Sequence, residues 1–310
     1  MIQKPIDISN KTVLIAALDW GMGHTTRCFS IIRVLMGQDN KLIFAGDVNQ
    51  IQFIRKEFPS IRIEKLDGYK ILLDSNKNTY SQLARQRSKV QKAIRKETKW
   101  LNRYLNENKV DVVISDNRYG FYSVEIPSIL ITHQLNLQVP NFKFFANYLI
   151  KKYVQRFSAV WVPDDAQRTL TGELSNQKLN IPIHFIGVLN RFKQVKAEKK
   201  YDYLVILTGP EPERTNFLEY AKEEMLNLGV TAAFVGAHVD GFDSFFYPTT
   251  AELETLIAQS NCVFSRAGYT TIMEMVGLDK KAFLFPTRGQ YEQEYLAKHI
   301  KHPQLQFFND

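Results

Sequence analysis

The chain has 310 residues, of which 45% are hydrophobic and 23% charged. These are globular proportions that exclude a disordered or fibrous protein, and the length favours two domains of about 150 residues each. No apolar run of roughly 18 residues supplies a transmembrane helix, and the N-terminal M-I-Q-K-P-I-D-I-S-N has no signal-peptide core. The net charge of +8 is unevenly placed, with +11 on residues 1–190 and −3 on residues 191–310. A basic first half seeks phosphate on nucleic acid, on anionic lipid or on a small molecule. Cys28 and Cys262 form neither a disulfide framework nor a zinc spacing, and read as thiols of a reducing cytosol.

In chain order, Thr12–Leu18 is a β-branched apolar run that reads as a buried strand. It breaks at D-W-G-M-G-H and leads into a helix from about Thr25 to Met36. A strand at Lys41–Ala45, a helix near Asn49–Phe58 and a strand at Ile61–Lys65 follow. A long helical stretch spans about Thr79–Glu107. Strands at Asp111–Ser115 and Ser128–Thr132, a helix over Lys143–Phe157 and a strand at Ala159–Val162 close the first half. After the charged join Gly187–Lys200 the alternation restarts. Strands are expected at Tyr203–Thr208, Ala232–Gly236, Cys262–Phe264 and Ala282–Phe285, and helices at Glu213–Leu228, Thr250–Gln259, Thr270–Val276 and Gln293–Ile300. Continuous apolar strands alternating with helices mean parallel sheets covered on both faces. The reading is α/β: two doubly wound Rossmann-like domains, 1–187 and 188–310, with a cleft between them. Ligands of such sheets bind beyond the carboxyl ends of the strands.

Four loops at such strand ends carry the chemistry. In Asp19–Arg27, Gly21 and Gly23 let a ligand approach the backbone at a helix start. Thr26 stands where the dinucleotide fingerprint G-x-G-x-x-G needs its last glycine, so that fingerprint is absent. An imidazole changes charge near neutrality, which suits His24 to general base work; a tight turn with an incidental histidine is the plain alternative. Gly209 belongs to the matching loop of the second half, where Pro210 and Pro212 stiffen the chain and Glu211 and Glu213 complement the helix dipole. Ser265-Arg266-Ala267-Gly268-Tyr269-Thr270-Thr271-Ile272-Met273-Glu274 is a strand end, a glycine turn and a helix start. Its amides and hydroxyls can hold a diphosphate, and a carboxylate one turn on can accept from ribose hydroxyls; a capped helix with a solvated glutamate is the plain alternative. Gln290, Glu292 and Gln293 open the last helix, as an ordinary polar helix start also would.

The motifs S-R-x-G-x-x-T-x-x-E and Q-x-E-Q-x-x-x-A, in that order, resemble the donor-binding signature of GT-B glycosyltransferases. They are most similar to the family of the peptidoglycan N-acetylglucosaminyltransferase that makes lipid II. The first loop, G-x-G-H-x-x-R, resembles related members of that superfamily. The resemblance runs from Val13 to Ala297 and implies a nucleotide-sugar donor, a UDP-sugar, held mainly by the second domain. It implies Glu274 at the ribose, Gly268 and Thr271 at the diphosphate, and Glu292 and Gln293 at the donor sugar. It places Arg191 of G-V-L-N-R as an interdomain arginine and Asp116 as the carboxylate that orients His24, though an Asp at a strand end also serves as a loop cap. His133-Gln134 resembles the family's H-E-Q-N and implies an acceptor contact. The glycine loop departs from the family's G-G-S-x-G, which weakens phosphate contact there. The chain stops soon after Gln293–Ile300, so the expectation is a second domain lacking the family's C-terminal return helix.

Two basic segments bear on the acceptor. Thr79–Asn108 carries Arg85, Arg87, Lys89, Lys92, Arg95, Lys96, Lys99 and Arg103 against Glu97 and Glu107, with a stripe of Leu83, Val90, Ile94, Leu101 and Leu105. Asn141–Phe157 adds Lys143, Lys151, Lys152 and Arg156, no acid and many aromatics. A solvated basic face is the plain reading; a surface for anionic lipid or a lipid-phosphate acceptor is the functional one. No nucleic-acid motif accompanies the charge. The sequence therefore reads as a cytoplasmic glycosyltransferase, peripheral at the inner face of the membrane. It would move a hexosyl or N-acetylhexosaminyl group from a nucleotide sugar to a glycan or lipid-linked acceptor. No cofactor is expected, since the nucleotide sugar is a substrate, and no D-x-D metal motif is present. The alternatives are a nucleotide-sugar hydrolase resembling the pseudaminic-acid pathway enzyme, which shares G-x-G-H-x-x-R followed by Cys, and a non-catalytic sugar-nucleotide binding protein.

Overall fold

A computed structural model describes residues 2–70, 86–139 and 143–308. They form two compact units, the first extending to Leu189 and the second beginning at Asn190. Expectations that fall on residues 71–85 and 140–142, including Leu83, Arg85 and the start of the long basic helix, lie outside the described residues.

The first unit begins with β1 (Thr12–Ala17), α1 (Gly23–Met36), β2 (Lys41–Gly46), α2 (Val48–Glu57) and β3 (Arg62–Lys65). It continues through α3 (Arg87–Glu107), β4 (Val112–Asp116), β5 (Ser128–Ile131), α4 (Lys143–Val154), β6 (Ala159–Val162) and β7 (Ile183–Phe185). The sheet order is β3-β2-β1-β4-β5-β6-β7, with every pairing parallel. Val13 to Ala17 are all buried, which is why β1 reads as an unbroken apolar run: helices cover both faces. The chain winds outward from β1 to β3, then crosses back to place β4 on the other side of β1, with Ala17 paired to Asp116. The carboxyl ends of β1 and β4 thus flank the topological switch point, where open parallel sheets bind ligands.

Local devices fix the loops around that point. Asp47 caps α2 by accepting from the Gln50 amide at 2.9 Å, and Gln50 Oε1 accepts from the Asp47 amide at 3.1 Å. The buried Gln50 amide nitrogen donates to the Ala17 carbonyl at 3.0 Å and to Thr25 Oγ1 at 2.9 Å, tying α2 to the end of β1 and the start of α1. Ile94 and Leu101 bury one face of α3. A Leu101→Ala cavity there would cost about 2–5 kcal/mol.

The second unit runs β8 (Tyr201–Ile206), α5 (Glu213–Leu228), β9 (Ala232–Val235), β10 (Asp243–Phe245) and α6 (Thr250–Gln259). It then runs β11 (Ser260–Arg266), α7 (Tyr269–Gly277), β12 (Ala282–Phe285), α8 (Tyr291–His299) and β13 (Leu305–Phe307). Its parallel order, β10-β9-β8-β11-β12-β13, has a switch point between β8 and β11, where Ile206 pairs with Ser265. Phe217, Ala221 and Met225 of α5 pack on Val205, Phe234, Phe264 and Phe285. Burying each large apolar side chain contributes about 1.5–3 kcal/mol. Gly229 ends α5 at φ +61°, a left-handed cap that suits glycine. The expected strand over Cys262–Phe264 is longer, Ser260–Arg266, because polar Ser260 and Ser265 still pair with β8 and Arg266 with β12.

Candidate functional site

At the switch point of the first unit the strand β4 ends in Asp116, which is fully buried, and α1 brings His24 to it within its first turn. His24 Nδ1 lies 2.7 Å from Asp116 Oδ1, with 17% of the histidine side chain exposed. A carboxylate at Nδ1 fixes the tautomer that carries its proton there and leaves Nε2 as the basic nitrogen. Arg27, one turn further along α1, directs Nε to Asp116 Oδ2 and Nη2 to Asp116 Oδ1. Burial opposes ionisation of Asp116, but the charge of Arg27 and then of His24 outweighs it and holds the carboxyl below its ordinary range. Cys28 Sγ lies 3.8 Å from the same carboxylate, and burial, reinforced by Asp116, pushes its thiol well above the ordinary range. Cys28 is therefore a neutral, inert thiol.

The first loop is pinned from beneath. Asp19 accepts the Tyr69 amide at 2.9 Å and the Lys70 amide at 3.2 Å. A Cβ on Gly68 would fall 2.3 Å from the Asp19 carboxylate, so only glycine lets the two segments approach this closely. Arg118 and Glu97 form a buried ion pair. Glu97 Oε2 also accepts from Tyr69 Oη at 2.8 Å and from the Gly120 amide at 2.9 Å, while Arg118 donates to the carbonyls of Ala17 and Asp67. Gly21 has φ +78°, and Gly23 is the first residue of α1. His133 is buried with Nδ1 3.3 Å from Arg27 Nη1, and Gln134 beside it is half-buried.

In the second unit the turn after β11 lies at the matching switch point. Ser265 Oγ donates to the Ile206 carbonyl at 2.8 Å, bracing the turn against β8. Gly268 is the N-cap of α7; Thr270 is half-buried and Thr271 buried in the first turn. Glu274, also buried, forms an ion pair with Arg191 at 2.8 Å. Burial raises its carboxyl above the ordinary range, and Arg191 only partly offsets that. Arg266 is held by Glu213 of α5 at 3.2 Å and stacks 4.5 Å over Phe217. Gln293 accepts the Thr287 amide at 2.8 Å and donates to Gln290 Oε1 at 2.7 Å, with Glu292 half-buried next to it. Gly209, at φ +95°, is exposed, and Glu211 accepts the Thr215 amide at 3.2 Å and the Thr215 hydroxyl at 2.7 Å.

Structure places His24 and Asp116 together, and Arg191 and Glu274 together. Sequence reasoning did not single out Arg27, although the arginine of G-x-G-H-x-x-R lies one helical turn from His24 and so shares its face. It also did not mark Phe246 and Tyr247, which are 58% and 62% exposed just beyond the carboxyl end of β10.

No protein-family profile matches the chain, and no curated protein matches its sequence. Solved structures do match. The glycotransferase of kitacinnamycin aligns with a TM-score of 0.65 at 14% identity, over 96% of this chain and 86% of that one. Phytolacca americana UGT2, complexed with UDP-2fluoro-glucose and pterostilbene, gives 0.62 at 13%, over 94% and 83%. Acinetobacter baumannii MurG gives 0.53 at 13%, over 96% and 85%. The chain thus has the two-unit, Rossmann-like GT-B fold.

Proposed function

We propose that this protein transfers a sugar from a nucleotide-sugar donor to an acceptor hydroxyl, with His24 as the general base. The observation that carries this reading is the 2.7 Å contact between His24 Nδ1 and the ionised Asp116 at the switch point of the first sheet. His24 Nε2 takes the proton of the acceptor hydroxyl. The acceptor oxygen bonds to the anomeric carbon while the bond from that carbon to the diphosphate oxygen breaks, and the nucleoside diphosphate leaves. The donor belongs to the second unit, with Glu274 at the ribose, the Gly268–Thr271 turn at the diphosphate, and Glu292 and Gln293 at the sugar. A UDP-linked hexosyl or N-acetylhexosaminyl group fits that reading. The solved complex of a similar fold with UDP-2fluoro-glucose supports a nucleotide-sugar donor.

The acceptor is assigned to an anionic lipid surface. Among the described residues no helix is long and apolar enough to cross a membrane. On α4, Phe144, Phe145 and Tyr148 are 89%, 51% and 57% exposed, beside Lys143, Lys151 and Lys152. Lys92, Arg95, Lys96, Lys99 and Arg103 line the exposed side of α3. Val90 and Ala93 of α3, Tyr153 of α4 and Trp20 of the first loop pack on one cluster, so this surface adjoins the His24 loop. Aromatic residues interleaved with lysines suit the headgroup region.

The deciding experiment incubates wild type and His24→Ala with a panel of nucleotide sugars, with and without lipid extract, and identifies the products. General base catalysis contributes about 10²–10⁴-fold, so His24→Ala should lose that much kcat at unchanged donor affinity. A His24→Ala enzyme with full turnover overturns the assignment of the base. Free sugar or sugar phosphate in place of glycosylated acceptor would make the protein a hydrolase.

A further inference from the structure

The His24–Asp116 pair contains a third member that changes its charge. In a histidine–aspartate pair the carboxylate orients the imidazole and also offsets the positive charge the ring acquires on taking a proton. Here Asp116 is already engaged at both oxygens by Arg27, whose side chain is 1% exposed. With neutral imidazole the trio carries no net charge; after proton uptake it carries one positive charge in a buried setting. Arg27 Nη2 also lies 3.0 Å from His24 Nδ1. When that nitrogen bears the proton given to Asp116, neither atom can accept from the other, and the approach becomes a direct opposition of guanidinium and ring.

Among the described residues, the contacts of the trio include no second carboxylate. His133 meets the far end of Arg27, and Cys28 is a neutral thiol against Asp116. Asp19 is engaged by two backbone amides, and Glu97 by Arg118.

We propose that Arg27 is a positioning residue that fixes Asp116 and disfavours the protonated form of His24, so that the base stays neutral to lower pH than a histidine–aspartate pair alone would allow. The proposal rests on the reading of His24 as the base, and its test is chosen to fail separately from that reading. The imidazoles of ¹⁵N-histidine-labelled wild type, His24→Ala and Arg27→Gln are titrated by NMR, with the His24→Ala spectrum assigning the His24 signals. The pH–rate profiles of wild type and Arg27→Gln are recorded alongside.

Removing a nearby cation favours imidazolium, so in Arg27→Gln the His24 midpoint and the acidic limb of the rate should both move up by about one pH unit. Arg27→Lys, which keeps the charge, should restore most of the wild-type midpoint. If Arg27→Gln does not fold, Asp116→Asn is compared with the double variant Arg27→Gln/Asp116→Asn, and His24 should titrate about one unit higher in the double variant. An unmoved His24 midpoint overturns the proposal. A moved midpoint in a protein whose His24→Ala variant keeps full turnover upholds the electrostatic assignment and overturns the base.

Discussion

Replacing Asp116 by asparagine keeps the size of the side chain and removes its charge. Arg27 then remains at 2% exposure without a counter-ion. One of the two oxygens becomes an NH₂, and in either orientation it faces an N–H of Arg27, donor against donor. Hydrogen bonds to charged groups contribute about 1.5–3 kcal/mol each, and stranding one partner of a buried ion pair costs about 3–5 kcal/mol. The expected loss is therefore about 3–5 kcal/mol at pH 7, a large share of the ~5–15 kcal/mol that holds a typical domain.

The sign with pH follows from the depressed carboxyl of Asp116. Its contribution is complete above the unfolded carboxylate value near ~4 and disappears as pH falls through the lower folded value. The gap between wild type and variant should therefore shrink on acidification. Urea unfolding followed by tryptophan fluorescence isolates the effect, because Trp20, Trp100 and Trp161, the three tryptophans of the chain, all belong to the first unit. An unchanged midpoint at pH 7, or a gap that stays constant as pH falls toward the folded value, refutes the reasoning.

On the proposed role of Glu274 as a charged acceptor at the ribose, Glu274→Ala should weaken UDP binding by about 1.5–3 kcal/mol in calorimetry; equal affinity would remove that role. Because burial raises the Glu274 carboxyl, wild-type affinity should begin to fall at a pH above the ordinary glutamate range, and a profile flat through that region would count against it. Reversing Lys151, Lys152 and Arg156 should weaken sedimentation with anionic vesicles by about 1 kcal/mol per charge, and wild-type protein that ignores such vesicles at low salt ends the lipid assignment. Thr249 and Glu252 cap α6 reciprocally, with the Thr249 amide donating to Glu252 at 2.6 Å. Thr249→Ala should destabilise the second unit by about 1 kcal/mol in thermal unfolding and leave the tryptophan transition unmoved.

The parts of the fold legible in the sequence were those with strong local signatures. Strands such as β1, β4 and β8 announce themselves as apolar runs because both sheet faces are covered. Three edge or near-edge strands, Ile183–Phe185, Asp243–Phe245 and Leu305–Phe307, went unread; each has three residues and is partly exposed, too short for a period to register. At the site, the glycine loop and the donor motifs were legible as residue patterns. Burial was not: Glu97 reads as one acid on a basic helix, yet it is 3% exposed, because Arg118, 21 residues away, reaches it through the fold. His133 reads as an acceptor contact, yet it is 4% exposed and meets Arg27.

The pairing of β1 with β4 has a consequence during synthesis. Thr12 and Asp111 meet across a sequence separation of 99 residues, and His24 and Asp116 across 92. At translation rates of about 5–20 residues per second, β1 waits roughly 5–20 s for its second neighbour. Throughout that interval one side of this apolar strand is an unpaired edge, open to other chains. The strand order that creates the switch point therefore makes the nascent first unit dependent on protection from aggregation, and it assembles the histidine–aspartate pair only once β4 has docked.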